Sequence, residues 1–187
     1  MDSMRYPEDV VRKSFRSLLL ILPFLWIGTC FADSGDSAPA ERRLRLYHTH
    51  TAKHLDIVYR IGSQYIPDAL ARIDQFLRDH RTGDVHHYDP RVFDLLNDLI
   101  ASVGRPGAEL NVICGYRSPW SNAFLRATTS GVAQRSLHMQ AEAIDIRLPG
   151  FNLAKLRDAA LALRRGGVGY YPASNFIHVD VGRIRRW

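Results

Sequence analysis

The amino-acid sequence predicts an α+β protein with a central, mostly antiparallel sheet and helices packed against it. Short segments in which apolar and polar residues alternate indicate strands, and longer segments with apolar residues at helical spacing indicate helices. The 187 residues include 46% hydrophobic and 24% charged residues, which is ordinary for a globular protein. A chain of this length is expected to form one domain around a single core.

The first 32 residues have the pattern of a signal peptide. Basic side chains precede an apolar run over residues 18–27, and this run is shorter than the roughly 20 residues that a membrane-spanning helix needs. We expect cleavage after Ala32 and export to the periplasm, with no stable membrane span in the mature chain. An uncleaved anchor is the alternative interpretation. A polar linker is predicted over residues 33–42 and the folded domain over residues 43–187.

Residues 44–47 and 55–59 are predicted to form two strands joined by a short turn. Three histidines lie in this segment: His48, His50 and His54. No carboxylate or thiol stands at a spacing that would complete a second metal site with them. We therefore interpret them as solvated residues of the hairpin.

Three amphipathic helices are predicted after the hairpin. Pro67 suits the first turn of the first helix, whose apolar stripe continues to Leu77. Asp89 is expected to cap the second helix, with Pro90 in its first position. The third helix is predicted over about residues 152–165. The first two are interpreted as core scaffold.

A strand over residues 110–114 leads through a tight turn into a short helix near Pro119. Residues in such strand-to-helix turns commonly face a cleft. Arg117 in this turn could hold a carboxylate through two parallel hydrogen bonds. Cys114, at the end of the strand, is interpreted as a small buried apolar residue.

Two later segments carry a candidate metal site. Residues 142–147 alternate so that Asp145 lies on one face of a half-buried strand, and residues 175–181 alternate in the same way around His178. His138 lies in the turn before the first of these strands. Two imidazoles and a carboxylate, without a thiolate, are the ligand set of a catalytic zinc site, whose fourth position stays open for water.

This set of residues resembles the pattern of a known family. Ser136-x-His138 followed by Asp145, with a distal His-x-Asp on a strand, resembles the LAS group of zinc peptidases. That group includes bacterial D-Ala-D-Ala carboxypeptidases, phage endolysins and Hedgehog-like domains, and the resemblance implies their fold. Further stretches make the chain similar to the periplasmic murein endopeptidases of the YcbK type, murein endopeptidase K: residues 81–86, 113–119 and 166–172. The resemblance covers about residues 43–187.

The resemblance also implies roles for individual residues. It assigns zinc binding to three side chains: His138, Asp145 and His178. It assigns Arg117 to a carboxylate of the substrate peptide. Asp180 is our first candidate for the acid/base group that hydrolysis requires, and the alternative is that it orients a ligand histidine. Glu142 is the runner-up, although the strand alternation points it away from the site.

Two positions depart from the family pattern. Several branches carry an acidic residue three positions before the last histidine ligand, where this chain has Asn175. The motif usually has glycine where this chain has Ala141. If that turn requires φ > 0, alanine costs about 1 kcal/mol, and its methyl group could crowd the cleft. Neither departure removes a ligand, so metal binding is expected to survive.

The resulting prediction is a zinc-dependent murein endopeptidase that acts on peptide cross-links of peptidoglycan. Its partners would be the peptide stems of the cell wall, and a net charge of +6 suits such an anionic polymer. Nucleic acid is not expected as a partner, because the basic residues are scattered and form no stripe interleaved with aromatic residues. Two alternatives remain: a D,D- or L,D-carboxypeptidase on the same scaffold, and a non-catalytic peptidoglycan-binding module.

Overall fold

Residues 39–187 are those that the computed structural model describes. The predicted signal peptide and most of the predicted linker lie outside these residues. Within them, eight strands and four α-helices occur in one sheet-based domain, which confirms the α+β class. In chain order the elements are β1 (Glu41–His48), β2 (Lys53–Ile61), β3 (Gln64–Tyr65), α1 (Pro67–Phe76), α2 (Arg91–Ser102), β4 (Glu109–Cys114), α3 (Pro119–Thr128), a 3₁₀ turn (Leu137–Gln140), β5 (Ala143–Arg147), α4 (Leu153–Leu163), β6 (Gly167–Tyr171), β7 (Phe176–Asp180) and β8 (Arg185–Arg186).

The strands form one sheet in the order β3-β2-β1-β4-β5-β7-β6-β8. Five of the seven strand pairs are antiparallel, and only β1 with β4 and β6 with β8 are parallel. The prediction of a mostly antiparallel sheet is therefore confirmed. Strand β5 lies in the middle of the sheet, between β4 and β7, so both of its edges are hydrogen-bonded.

The predicted hairpin is present as β1 and β2. Strand β1 begins at Glu41, two residues before the predicted start of the domain. Strand β5 differs from the prediction in its environment, because residues on both of its faces are buried rather than those on one face only. The second face of β5 carries Asp145, which is buried against His138 and His178.

The helices follow the apolar periodicity of the sequence. Pro67 occupies the first turn of α1 as predicted. Helix α2 begins at Arg91, one residue later than predicted, and the Asp89 carboxylate accepts a hydrogen bond from the Arg91 amide at 2.9 Å. The apolar face of α2 includes Phe93 and Leu96, which are fully buried in the core. Burying a side chain of this size stabilises the fold by about 1.5–3 kcal/mol. Within residues 39–187, no helix combines the length and the apolar character that crossing a membrane demands.

The interpretation of the hairpin histidines was wrong for one residue. His48 is only 1% exposed, whereas His50 and His54 are exposed. The His48 ring packs edge-on against Phe76, with 5.8 Å between ring centroids. His50 stacks on His80 at 3.9 Å with the two ring planes nearly parallel. A metal ion binds in the plane of an imidazole ring, so two stacked rings do not converge on one ion in this arrangement.

Burial of His48 predicts a pH-dependent stability. Burial, with the nearby His50 and Arg78 charges, lowers the pKa of His48 to about 4. The unfolded chain takes up a proton near pH 6.5, whereas the native chain resists it until about pH 4. The free energy of unfolding should therefore fall as the pH is lowered through this window.

A His48→Leu variant should lose part of this dependence, measured as the difference in the free energy of unfolding between pH 7 and pH 5 by urea denaturation. His54→Leu changes an exposed histidine of the same hairpin and serves as the control. An undiminished pH dependence in His48→Leu would contradict the assignment.

Candidate metal centre

The pairing of β5 with β7 places two predicted ligands side by side. Asp145 and His178 are direct partners in the antiparallel register. Both side chains are buried. Asp145 Oδ1 lies 2.9 Å from His178 Nδ1. The sequence alternation had placed each residue on a face of its strand, and the register brings these faces together.

His138 reaches the same point from the 3₁₀ turn that precedes β5. Its Nδ1 lies 2.8 Å from the Gly115 carbonyl oxygen. Because a carbonyl only accepts, Nδ1 carries the hydrogen and donates it. The second ring nitrogen of His138, Nε2, lies 3.2 Å from Asp145 Oδ1 and 3.1 Å from His178 Nδ1. A hydrogen bond of this kind on the far nitrogen is typical of histidines that bind metals.

The three atoms form a triangle that suits one divalent metal ion. Its sides measure 2.9, 3.1 and 3.2 Å. Ligands at about 2.0–2.2 Å from a tetrahedral ion are about 3.3–3.6 Å apart, so the three atoms need to separate by only a few tenths of an ångström to bind one ion. The residues present therefore fit a metal ion bound by two nitrogens and one oxygen, with a fourth position left for another group.

The electrostatics of the cluster also suit a cation. Burial opposes the charged form of His138, but the Asp145 carboxylate raises the pKa of this imidazole to about 10. Burial likewise opposes the charged form of Asp145, but the His138 charge and hydrogen bonds from both imidazoles hold the pKa of the carboxyl far below its usual range. The site thus stabilises positive charge next to an ionised carboxylate. A bound metal ion would take the place of the imidazole proton.

Cys114 lies closer to the site than the sequence analysis predicted. It is buried, as expected. However, one ligand atom each of Cys114, His138 and Asp145 lies within 4.8 Å of the other two. The cause is the pairing of β4 with β5, where an irregularity in the register sets Cys114 opposite Asp145. This thiol is a further group that could contact a bound metal ion.

Arg117 lies in the turn between β4 and α3, beside the cluster. Its side chain is 12% exposed, and Nη2 lies 3.4 Å from Cys114 Sγ and 3.9 Å from Asp145 Oδ2. The turn is fixed by Asp79, whose carboxylate accepts a hydrogen bond from the Ser118 amide at 2.8 Å. Arg117 Nε is buried and has no hydrogen-bond partner within residues 39–187. The guanidinium is therefore held in place with part of its donor capacity unused.

Asp180 lies behind His178, on the side of the ring away from the triangle. Its Oδ2 accepts a hydrogen bond from His178 Nε2 at 3.1 Å. The same oxygen forms an ion pair with Arg185 Nη2 at 2.8 Å. Its Oδ1 accepts hydrogen bonds from the amides of Gly167 at 2.8 Å and Gly182 at 2.9 Å. Burial opposes ionisation of Asp180, but these hydrogen bonds lower its pKa.

The geometry of Asp180 favours the alternative orienting role over the acid/base role that the sequence analysis preferred. The carboxylate is 0% exposed, and its lone pairs are taken by five donors. A carboxylate with these contacts is poorly placed to exchange a proton with a substrate. The contacts agree with the alternative, in which Asp180 fixes the ring of His178 so that Nδ1 faces the triangle.

A cavity of about 450 Å³ adjoins the triangle. Its lining brings together the three predicted ligands, Arg117 and a wall of aromatic residues: Tyr171, Phe176 and Trp187. The Trp187 ring lies 5.2 Å from the His178 ring, and its Nε1 donates a hydrogen bond to the Tyr171 hydroxyl at 2.7 Å. Within residues 39–187, Asp145 is the only aspartate or glutamate in this lining.

The two departures from the family pattern lie outside the cavity. Ala141 ends the 3₁₀ turn with φ 52° and ψ 37°, so the turn does require the left-handed conformation. Its methyl group is fully buried in the core and does not crowd the cleft. Asn175 has φ 53° in the turn between β6 and β7, a conformation that asparagine tolerates well. Glu142 does not line the cavity either.

Comparison with protein families gives one match that covers most of the chain. The family model described as peptidoglycan L,D-endopeptidase MepK, of the M15 peptidases, matches residues 36–187. These residues include every residue of the triangle.

Individual proteins are similar over the same extent. The chain is 42% identical over 151 residues to a probable peptidoglycan L,D-endopeptidase MepK of Haemophilus influenzae, which covers 81% of each chain. It is 40% identical over 151 residues to the peptidoglycan L,D-endopeptidase MepK of Escherichia coli K12, which covers 81% of this chain and 82% of that protein. The protein of that name from Shigella flexneri has the same identity and coverage.

The contacts of Asp180 lead to a test of its role. An Asp180→Asn variant keeps the shape of the side chain but loses the charge that orients His178. We expect its affinity for Zn²⁺ or Co²⁺ to fall about 10- to 100-fold, the usual effect of losing such a partner. Competition with a chromophoric chelator measures this affinity, and thermal unfolding shows whether the variant is folded.

Asp158→Asn, at an exposed aspartate on α4, is the matched control. Unchanged metal affinity in a folded Asp180→Asn variant, together with loss of hydrolysis, would instead favour the acid/base role.

Proposed function

Because the chain belongs to the family of peptidoglycan L,D-endopeptidase MepK, we propose that it is a zinc-dependent endopeptidase that hydrolyses peptide cross-links in peptidoglycan. The observation that carries the proposal is the triangle of His138 Nε2, His178 Nδ1 and Asp145 Oδ1, with sides of 2.9–3.2 Å at a cavity large enough for a peptide segment. We infer the substrate class, peptidoglycan peptides, from the family, and the metal-dependent hydrolysis from the triangle.

We propose zinc as the metal because the donor set consists of two imidazoles and one carboxylate. Three protein ligands of this kind, with one open position, are typical of catalytic zinc sites. When bound, zinc would polarise the peptide carbonyl and lower the pKa of water at the open position. Asp145 contributes the negative charge of the site, while His138 and His178 are held in the correct tautomer by Gly115 and Asp180.

Arg117 is proposed to hold a carboxylate of the substrate peptide. Its guanidinium lies next to the cluster, lines the cavity and has a buried Nε without a partner among the described residues. A guanidinium can bind a carboxylate through two parallel charge-assisted hydrogen bonds, which fixes the orientation of the peptide as well as its position. Orientation matters because hydrolysis requires the scissile carbonyl to lie at the metal.

Asp180 is proposed to act as a positioning residue. Its contacts fix the ring of His178, and the loops around Gly167 and Gly182 hold the carboxylate in turn. This role replaces the acid/base role that the sequence suggested for it.

The place of action is proposed to be the periplasm, where peptidoglycan lies. The predicted signal peptide over residues 1–32 would direct export, and cleavage near Asp33 would release the mature chain. The peptide stems of the cell wall would be the partners.

A carboxypeptidase is the second candidate, because the position of Arg117 beside the cluster is compatible with this reaction as well. A guanidinium whose Nη2 lies 3.9 Å from Asp145 Oδ2 could hold the terminal carboxylate of a peptide next to the metal. It could equally hold a carboxylate adjacent to a cross-link. The masses of the products distinguish these two reactions.

The proposed function is tested by mass analysis of products from purified cross-linked muropeptide dimers and zinc-loaded protein. We expect dimers to be converted to monomers, and a chelator to abolish this conversion. Loss of a single terminal residue would support the carboxypeptidase instead. Intact dimers, with zinc present on the protein, would support a binding module.

The activity of a His178→Ala variant should fall by more than about 100-fold. Loss of a residue that only orients a metal ligand already lowers metal affinity or activity about 10- to 100-fold. His54→Ala removes an exposed histidine far from the triangle and should retain full activity. Retained cleavage by a folded His178→Ala variant would contradict the assignment of the ligands.

A further inference from the structure

A second cavity, of about 280 Å³, adjoins the one at the metal centre. Three of the five residues that line it are arginines, and the full lining is Arg135, Leu137, Gly182, Arg183 and Arg185. Arg135, Leu137 and Arg185 line the larger cavity as well. The two cavities therefore share part of their wall, and we call the smaller one the arginine pocket.

The arginine pocket has more positive charge than the described residues neutralise. Arg185 is compensated, because its Nη2 lies 2.8 Å from Asp180 Oδ2. Arg135 and Arg183 are exposed and form no salt bridge with any residue in the range 39–187. Neither an aspartate nor a glutamate is among the residues that line the pocket. The unmatched charges therefore favour an anion in this pocket.

The floor of the arginine pocket is a fixed part of the metal centre. The Gly182 amide donates to Asp180 Oδ1 at 2.9 Å. A methyl group added at Gly182 would lie 2.8 Å from Leu137 Cδ1 and 3.2 Å from Asp180 Oδ1, so a side chain at this position would displace Leu137. Arg183 is held in the same turn, since its carbonyl accepts a hydrogen bond from Arg185 Nη1 at 3.1 Å. The carboxylate that orients His178 therefore also shapes the pocket.

We propose that the arginine pocket binds a second carboxylate of the substrate peptide, distinct from the one assigned to Arg117. The chain would then select peptides with at least two free carboxylates, one held by Arg117 and one held in the arginine pocket. A guanidinium pairs with a carboxylate through parallel hydrogen bonds, and two arginines with no acidic partner make such binding stronger. This inference rests on the proposed function, because the peptide stems of peptidoglycan carry several carboxylates.

The test measures binding rather than cleavage. Zinc-loaded protein is titrated calorimetrically with a monomeric, diaminopimelate-containing stem tetrapeptide, which has no cross-link to hydrolyse, and mass analysis verifies that the peptide stays intact. A series of peptides has each carboxylate in turn replaced by a carboxamide. One carboxylate of the peptide is proposed to bind Arg117. We expect that replacing a different carboxylate also weakens binding about tenfold, as the loss of a charge-assisted hydrogen bond does.

The Arg135→Gln/Arg183→Gln variant should bind the free peptide about tenfold more weakly and should no longer distinguish it from that carboxamide. Arg186→Gln is the matched control, because Arg186 is exposed, lies in the same segment and lines neither cavity. Native-like affinities of the double variant for every peptide would overturn the inference. An equal loss of affinity in the Arg186→Gln control would also overturn the inference, as would the absence of any binding by the native chain.

The outcomes separate this inference from the proposed function. If the native chain and its variants bind the peptides as expected but the dimers stay intact, the proposed function fails and the pocket stands. If the dimers are cleaved but the double variant binds every peptide like the native chain, the proposed function stands and the role of the arginine pocket fails.

Discussion

The register of β5 against β7 is the constraint on which the rest of the site depends. It sets Asp145 opposite His178, with Oδ1 and Nδ1 2.9 Å apart. A slip of one residue would turn one of the two side chains to the other face of the sheet. The fully buried Ile144 and Val179, which are also partners in this register, oppose such a slip because it would move apolar side chains out of the core. Packing of the core thus fixes the geometry of the polar cluster.

Asp180 connects three parts of the molecule through one carboxylate. It orients His178 through Nε2, binds the amides of Gly167 and Gly182, and pairs with Arg185. A buried carboxylate would be costly without such partners. With them, the charge fixes His178, a proposed metal ligand, on one side and Gly182 of the arginine pocket on the other. The position of the proposed second carboxylate is therefore linked to the orientation of the metal ligand.

The sequence predicted the helices, the strands of four or more residues and the three residues of the triangle, because alternation and helical spacing are local properties. It did not predict that Cys114 lies at the site, since that depends on the irregular pairing of β4 with β5. It preferred an acid/base role for Asp180, whereas the orienting role that we propose depends on contacts that alternation does not reveal, such as the hydrogen bond from the Gly167 amide on β6. The burial of His48 depends on Phe76, which lies on a helix outside the hairpin. Each of these errors concerns tertiary contacts.

The central claim is that His138, Asp145 and His178 together bind one metal ion. Anomalous X-ray scattering at the zinc absorption edge, from crystals of the zinc-loaded protein, tests it most directly. We expect one strong anomalous peak at about 2.0–2.2 Å from each of three atoms: His138 Nε2, Asp145 Oδ1 and His178 Nδ1. A protein saturated with zinc but without a peak at this triangle, or with the ion bound by Cys114 in place of His178, would contradict it.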